Sequence, residues 1–263
     1  MSTPEPIIRL RGVTNAFGPQ VVHDALDLDI YRGEVLGVVG GSGTGKSVLL
    51  RTIAGLRAPQ AGSIEIFGTE TVGCDEATRT AINRRMGVMF QDGALFSSLT
   101  VRENVEVPLR AVPDLAPEFR RALADLKISL SGLPFLAGDK YPSELSGGMR
   151  KRAGLARALA LDPEVVFLDE PTAGLDPIGA TGFDELIRGL SRSLGLTVFL
   201  VTHDLDTLHA TCDRIAVLAE KRVLVTGTMA EMLRVDHPWV HEYFHGPRAR
   251  AAQDTALDGQ KDG

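Results

Sequence analysis

Cysteine is scarce in this sequence, and so are long apolar runs. Cys74 and Cys212 are the only cysteines, far apart and without CxxC spacing, which is typical of reduced thiols in a cytosolic protein rather than of a disulfide framework. The longest apolar stretches, "VVFL" and "VFLV", are much shorter than the roughly 20 residues of a membrane helix. The N-terminus lacks the basic start and apolar run of a signal peptide. We therefore expect any work at a membrane to be done through a partner.

An excess of positive charge is also absent. Lys and Arg number 28 against 34 Asp and Glu, a net charge of −6, which disfavours nucleic acid as a partner held by bulk charge. With 44% apolar and 24% charged residues among 263, the chain has the composition of a globular protein with ample core. Its length predicts one large domain or a core with a subdomain.

Two kinds of strand pattern predict two sheets. "LDLDI" alternates strictly between apolar and acidic residues, and "SIEIFG" and the later "RVLVTG" are similar, which predicts an antiparallel sheet beside the main body. "VLGVV", "VVFL" and "TVFLVT" are instead uninterrupted by charge, as in buried strands of a parallel sheet. Helical patterns such as "KSVLLRTIAGL" and "GATGFDELIRGLSRSLG" separate these strands, so we expect βαβ units and an α/β fold.

The residues after 91 have a different pattern. No strand pattern occurs between about 92 and 160, whereas "APEFRRALADLKI" and "GGMRKRAGLARALAL" are helical. The expected organisation is a core with a β subdomain at 1–91 and 161–247, a helical subdomain at 92–160, and a polar, partly disordered tail at 248–263.

The stretch "GGSGTGKS", Gly40 to Ser47, fits the P-loop pattern. Its glycines let successive backbone N–H groups turn toward phosphates, Lys46 reaches the β and γ oxygens, and the Ser47 hydroxyl ligates Mg²⁺. A buried-strand pattern precedes the loop and a helical pattern follows it. This context predicts binding of a nucleoside triphosphate with Mg²⁺.

Hydrolysis also needs an acid that holds the metal and a group that positions water. Asp169 and Glu170 directly follow "VVFL", and Pro171 stops that strand. His203 directly follows "TVFLVT". Ligands of a parallel sheet collect at the carboxyl ends of its strands, so we expect these three side chains to lie beside the P-loop.

A second anion-binding stretch, "LSGGM", begins a helical run about a hundred residues later. Ser146 is a plausible N-cap, and the N–H groups of Gly147 and Gly148 with the helix dipole favour an anion. The γ-phosphate in the P-loop has Lys46 and Mg²⁺ on one side only. If two copies meet head to tail, each "LSGGM" loop covers the nucleotide of the other copy, and the sequence thus predicts a homodimer.

Together these motifs resemble the ATPase subunits of ABC transporters, over about residues 7–247. "GGSGTGKS" resembles Walker A, Gln91 in "VMFQDG" the Q-loop, "LSGGM" the signature, "VVFLDE" Walker B, "AGLDP" the D-loop and His203 the switch histidine. The resemblance implies a P-loop NTPase fold with a RecA-like parallel core, an N-terminal antiparallel β subdomain and a helical ABC subdomain. It also implies ATP and Mg²⁺ as cofactors.

The resemblance assigns residues to each role. Glu170 is the general base and His203 its catalytic partner, Phe17 stacks on adenine, and Gln91 contacts Mg²⁺ and senses the transporter. The nucleotide contacts are Phe17, Gly40, Gly41, Ser42, Gly43, Thr44, Gly45, Lys46, Ser47 and Val48. The contacts across the dimer are Ser146, Gly147, Gly148 and Asp176, and the metal ligands are Ser47, Gln91 and Asp169.

Three positions depart from the usual family pattern. Met149 stands where glutamine is commoner, Val48 where threonine is usual and Phe17 where tyrosine is usual. The first two remove polar groups near the nucleotide, but none of the three is a hydrolytic residue.

Within the family, the sequence is most similar to ATPases of Mla/MCE-type phospholipid transporters. The similar stretches are "GTGKSVLLR", "FQDGALFSSLTVREN", "LSGGMRKRAGLARAL" and "DHPWVHEYFHGPRAR". This resemblance implies membrane permease subunits, an MCE substrate-binding protein and a small STAS-domain protein as partners. It places the chain at the cytoplasmic face of the bacterial inner membrane, where Arg248 and Arg250 contact a neighbouring subunit or anionic headgroups.

The apolar residues after the Q-loop predict a seat for a permease helix. Ordinary packing beneath the loop is the alternative. The residues of this predicted seat are Leu95, Phe96, Leu99 and Val101.

Three other functions remain open at the level of sequence. An importer for amino acids or another small solute shares the core motifs. An ABC ATPase of DNA repair or translation is disfavoured by the single cassette and the short helical insertion. A P-loop kinase does not need the "LSGGM" loop, and phosphate release without an acceptor distinguishes it.

Overall fold

The computed structural model describes residues 5–246, which form two sheets and the helices around them. The strands are β1 (Pro6–Phe17), β2 (Gln20–Tyr31), β3 (Val35–Gly40), β4 (Ala61–Ile66), β5 (Thr69–Glu70), β6 (Met86–Met89), β7 (Val165–Asp169), β8 (Thr197–Val201), β9 (Arg214–Ala219) and β10 (Arg222–Gly227). One sheet has the order β2-β1-β4-β5, and the larger one has the order β10-β9-β3-β8-β7-β6.

Helices cover the larger sheet and fill the long connection between β6 and β7. Their bounds are α1 (Lys46–Ile53), α2 (Glu76–Asn83), α3 (Val101–Leu109), α4 (Pro117–Leu130), α5 (Gly147–Ala158), α6 (Pro177–Leu194), α7 (Leu205–Thr211), α8 (Met229–Met232) and α9 (Pro238–His245). Within residues 5–246, every helix is too short or too polar to cross a membrane.

The centre of the larger sheet is parallel and wholly buried. Every residue of β3, β7 and β8 is buried, as their uninterrupted apolar patterns predict for strands covered on both faces. β3 pairs in parallel with β8, and β8 pairs in parallel with β7, with Asp169 opposite Val201. The carboxyl ends of these strands therefore meet at one edge, and the α/β prediction is confirmed.

The antiparallel sheet is also present, but one strand assigned to it lies elsewhere. The alternating patterns of β2 and β4 place them on either side of β1, antiparallel to it. "RVLVTG", in contrast, forms β10, which pairs antiparallel with β9 at the edge of the larger sheet. The expectation for "RVLVTG" is therefore wrong, because alternation reports one covered face and not which sheet covers it.

Between β6 and β7, helices α3, α4 and α5 pack around a core of their own. The Thr100 hydroxyl accepts from the Glu103 N–H, and the Glu103 carboxylate accepts from the Thr100 N–H, which starts α3 at Val101. Val101 is fully buried in this core. The prediction that Val101 belongs to the apolar permease seat is therefore wrong, and the alternative of ordinary packing holds for this residue, because its side chain packs inside the helical layer.

Alanine substitution at two helical glycines should change stability in opposite directions. A Cβ at Gly154 in α5 would lie 2.8 Å from the Gly93 Cα, so Gly154→Ala should lower the free energy of unfolding by about 1–3 kcal/mol. Gly189 in α6 is exposed and has open space around its Cα. Gly189→Ala should therefore raise the free energy of unfolding by about 0.5–1 kcal/mol.

Urea unfolding followed by circular dichroism measures both changes. The Gly189 variant is the matched control, since it makes the same replacement in a helix interior. A Gly154 variant at least as stable as the wild type would contradict the close packing of α5.

Candidate functional site

The P-loop connects β3 to α1 by a turn that only glycine fits. Gly45 caps α1 with φ of +94°, in the left-handed region, and a Cβ there would lie 2.6 Å from His23 Nε2. No side chain caps the N-terminus of α1. Its first N–H groups are thus free to bind an anion, as the helix N-terminus of a phosphate site requires.

Lys46 folds back over this loop. Its ammonium donates to the carbonyl oxygens of Gly40, at 2.8 Å, and Gly41, at 3.1 Å. Burial lowers the pKa of Lys46, whereas the Glu170 and Asp169 carboxylates raise it. A cation inside the loop and two acids nearby give the site the charge arrangement that a triphosphate with a divalent metal needs.

Ser47 and Asp169 meet at the carboxyl edge of the sheet. The Ser47 hydroxyl donates to Asp169 Oδ1 at 3.0 Å, and the Asp169 residue is only 5% exposed. A hydroxyl and a carboxylate are hard oxygen donors, so the pair fits Mg²⁺. Gln91 follows β6, whose Met89 pairs with Leu168 of β7, and it is exposed beside this edge.

Glu170 and His203 form a direct pair at the same edge. His203 Nδ1 lies 2.8 Å from Glu170 Oε2, and the histidine side chain is 70% exposed whereas the glutamate is 16% exposed. Glu170 has φ of +51°, an unfavourable conformation for a residue other than glycine that is often found at functional sites. Its N–H donates to the Val201 carbonyl at 2.8 Å, and its carbonyl accepts from Lys151 at 3.0 Å.

Behind this pair lies a buried polar network. Thr207 Oγ1 donates to Asp184 Oδ2 at 2.9 Å and lies 3.3 Å from Thr172 Oγ1, two residues after Glu170. Asp184 in α6 is 6% exposed. Burial raises the pKa of Asp184 to about 6, with Asp204 adding to the rise.

The residues predicted to act across a dimer lie at two helix N-termini. Ser146 caps α5, where its hydroxyl accepts from the Met149 N–H at 3.2 Å, and Gly147 beside it is exposed. Asp176 caps α6 in the same way, accepting from the Gly179 N–H at 2.8 Å. The predicted cap at Ser146 is therefore formed, and the cap at Asp176 is a second one that the sequence analysis did not predict.

Phe17 ends β1 and is 48% exposed. The guanidinium carbon of Arg57 lies 3.9 Å from its ring centroid, and the same guanidinium donates to the Ala16 carbonyl at 2.7 Å. The cation thus supports one face of the ring.

Four further residues lie beside the site, although the sequence analysis did not assign them to it. Tyr243 in α9 donates its hydroxyl to the His203 carbonyl at 2.9 Å, and Trp239 stacks on Tyr243 with ring centroids 4.9 Å apart. His23 lies beneath the P-loop, where burial lowers its pKa to about 4. A signal existed for the fourth residue, Lys151, since it lies four positions after Gly147 and so on the same helical face.

Comparison with known proteins identifies the family. The model of the ABC transporter family matches residues 23–173. The chain belongs to the ABC transporter family. As a member of it, the chain is an ATP-binding subunit that binds Mg·ATP and hydrolyses ATP, and the predictions of ATPase activity and of these cofactors are confirmed.

Curated relatives cover most of this ABC transporter subunit. One is 39% identical over 92% of the chain and 69% of its own length, the "Probable ribonucleotide transport ATP-binding protein mkl" of Mycobacterium leprae. Another is the "Methionine import ATP-binding protein MetN" of Caulobacter vibrioides, 42% identical over 83% of this chain and 65% of its own length.

Solved cassettes confirm the P-loop NTPase fold of this ABC protein. The dimeric structure of MJ0796, a bacterial ABC transporter cassette, has a TM-score of 0.78 at 32% identity and covers 84% of this chain and 98% of its own. CbiO1 of Clostridium perfringens, part of the cbiONQ transporter complex, has a TM-score of 0.79 at 27% identity and covers 96% of this chain and 99% of its own.

The buried carboxyl of Asp184 should make stability depend on pH. Its pKa is about 6 in the folded chain and about 4 in an unfolded one, so the folded state holds this proton more tightly. This difference lowers the free energy of unfolding. The loss is absent below pH 4, grows as the pH rises from 4 to 6 and is complete above pH 6. Asp184→Asn should therefore be more stable than the wild type at pH 7.5, by about 1–3 kcal/mol.

Urea unfolding at pH 4.0, 5.5 and 7.5 tests this linkage. The gap between the variant and the wild type should grow over this series and be smallest at pH 4.0. A gap that is constant with pH would show that folding does not raise the pKa of the Asp184 carboxyl.

Proposed function

We propose that this chain is the ATP-hydrolysing subunit of a transporter that moves phospholipid between bacterial membranes through a separate permease. The observation that supports its ATPase role is the Glu170–His203 pair. This pair lies at the same sheet edge as Lys46 and the Ser47–Asp169 pair. The lipid cargo is supported by the four sequence stretches that resemble Mla/MCE-type ATPases.

A head-to-tail homodimer completes each reaction centre in this proposal. The P-loop of one copy holds Mg·ATP, and Ser146, Gly147 and Gly148 of the second copy cover its γ-phosphate. Support comes from the exposed N-terminus of α5 and from the dimeric state of the MJ0796 cassette. Asp176, at the start of α6, links the two sites across the dimer.

The proposed chemistry uses the geometry of the Glu170 loop. Glu170 takes a proton from the attacking water, and His203 Nδ1, at 2.8 Å from its carboxylate, keeps it oriented. Lys46 reaches the β and γ phosphates. Ser47 and Asp169, with Gln91, hold Mg²⁺, which neutralises phosphate charge when bound.

The rest of the nucleotide lies along the P-loop and β1. Backbone N–H groups between Gly41 and Ser47 hold the phosphates, and Val48 lies in the first turn of α1. Adenine stacks on the face of Phe17 opposite Arg57, so a cation polarises the ring from behind.

The permease seat in this proposal is smaller than the sequence predicted. Phe96 is 51% exposed, and Leu95 and Leu99 are half-buried beside it.

The proposed partners are permease subunits, an MCE protein and a small STAS-domain protein, at the cytoplasmic face of the inner membrane. Arg248 and Arg250, expected to contact a neighbour or headgroups, lie outside the described residues.

An importer for a small solute is the second candidate. The observation that favours it is the 42% identity to the methionine import protein of Caulobacter vibrioides. Both candidates share the ATPase site and differ in the cargo that the permease carries.

Glu170→Gln should stop turnover while keeping ATP bound. The amide cannot accept a proton from water, so we expect phosphate release to fall by about 100-fold or more. ATP with Mg²⁺ should then hold the variant as a stable dimer, visible in gel filtration with light scattering. Glu185→Gln, at an exposed glutamate of α6, is the matched control and should turn over normally.

The general-base role would be wrong if Glu170→Gln hydrolysed ATP at the wild-type rate. The dimer proposal would fail separately if the variant bound ATP but stayed monomeric at micromolar concentration.

Phe96→Asp should detach the subunit from its permease. A charge on this exposed ring position should abolish co-purification of membrane subunits, while ATP binding by the released chain stays within about twofold. Phe119→Asp in α4 is the control, since Phe119 is 64% exposed on the same helical layer.

The same purification identifies the cargo. Tagged wild-type chain is isolated from native membranes with its complex, and bound lipids and small solutes are determined by mass spectrometry. Phospholipid together with an MCE subunit is the expected result. A soluble substrate-binding protein with no bound lipid would favour the small-solute importer.

A further inference from the structure

Lys151 is a buried cation that contacts two strand ends of the ATPase core. It lies in α5, one turn after the N-cap, and is 6% exposed. Its ammonium donates to the carbonyl oxygens of Gln91 and Glu170, the latter at 3.0 Å. A buried charge is costly unless it is hydrogen-bonded. The Lys151 ammonium therefore needs its bonds to these two loops.

The helix that carries Lys151 is also fixed to the Q-loop segment. Arg157 donates to the Gly93 carbonyl at 2.8 Å and to the Ala94 carbonyl at 2.7 Å. Gly154 faces Gly93 so closely that a Cβ would lie 2.8 Å from the Gly93 Cα. Helix α5 and the Q-loop segment therefore form one packed unit, and Lys151 extends it to the Glu170 loop.

Lys151 binds the backbone of Glu170, a residue whose backbone conformation is unfavourable without support from its neighbours. With φ of +51°, Glu170 has a backbone conformation that surrounding contacts must hold. Those contacts are the bond from its N–H to the Val201 carbonyl and two bonds to its own carbonyl, from the Ala173 N–H at 3.3 Å and from the Lys151 ammonium at 3.0 Å. Lys151 thus bonds the backbone of the same residue whose carboxylate pairs with His203.

The other end of α5 is the signature loop, with Ser146 and Gly147 at the helix N-terminus. We propose that Lys151 is a positioning residue. Through Lys151, the signature loop of each chain controls the orientation of the Glu170 carboxylate in the same chain. When the loop docks on the nucleotide of the second copy, α5 is fixed and Lys151 holds Glu170 in its active direction. Each copy then hydrolyses its ATP only while it also covers the ATP of its partner. This inference rests on the dimer of the proposed function.

Steady-state ATPase measurements on the full chain test this coupling. Lys151→Met should lower kcat by about tenfold or more, with the half-saturating ATP concentration changed by less than about threefold. The Hill coefficient for ATP should fall toward 1, because the two sites no longer communicate. Lys151→Arg keeps the charge and several donors and should recover a large part of kcat and the cooperativity.

Lys127 provides a matched control. It is 3% exposed, and its ammonium pairs with Asp162, away from both catalytic loops. Lys127→Met removes an equally buried cation, so it should lower the melting temperature and leave kcat and the Hill coefficient unchanged. A Lys151→Met variant that behaves in the same way would overturn the proposal. If Lys151→Met does not fold, Lys151→Gln, which keeps amide donors, is judged by the same criteria, with an intermediate loss of kcat expected.

The Glu170→Gln background separates this inference from the dimer proposal. Glu170→Gln with Lys151→Met should still form the ATP-trapped dimer, since docking of the signature loop precedes the effect of Lys151. Loss of that dimer in the double variant alone would overturn the positioning role, because Lys151 would then act in docking. Absence of the dimer already in Glu170→Gln would overturn the dimer and this inference together.

Discussion

The parallel pairing of β3, β8 and β7 is the constraint on which the site depends. Three wholly buried strands run in one direction, so their carboxyl ends lie side by side, and the polar groups after each strand meet at one edge. The P-loop follows β3, Asp169 ends β7 and His203 follows β8. Ser47 and Asp169, 122 positions apart in the sequence, thus reach hydrogen-bonding distance because the strands before them lie side by side.

Backbone conformation then sets the direction of each group. Gly45 turns the P-loop with a φ that a side chain would oppose, while Glu170 adopts a positive φ despite its side chain. The cost at Glu170 is offset by hydrogen bonds with two other elements: its N–H donates to a carbonyl of β8, and its carbonyl accepts from Lys151 of α5. The backbone of Glu170, the proposed general base, is therefore held by the ATPase core and by the helical layer at once.

Much of this arrangement could be predicted from local pattern. The P-loop, the acids after "VVFL" and the serine cap of "LSGGM" follow from residue types at fixed spacing, and the uninterrupted apolar runs predict the parallel strands. The errors have a common cause. Val101 and "RVLVTG" were assigned from hydrophobicity, which reports that a residue is covered but not by which element. Tyr243 and Arg57 have no local signal, because their partners lie about 40 residues away along the chain.

The sequence by itself determined the chemistry: a triphosphate loop, an acid pair, a histidine and a second glycine-rich helix start, which together identify an ATPase. Only the tertiary structure decided how these parts are held, with Lys151 on the Glu170 carbonyl, Tyr243 on the His203 carbonyl and Arg57 on the Phe17 ring. The physical reason is that motif residues bind ligands through their own side-chain and backbone atoms, so their residue types can be recognised in the sequence. The supporting residues instead bind backbone carbonyls and ring faces. Every sequence has many such groups, and only the packing of the chain decides which of them a supporting residue contacts.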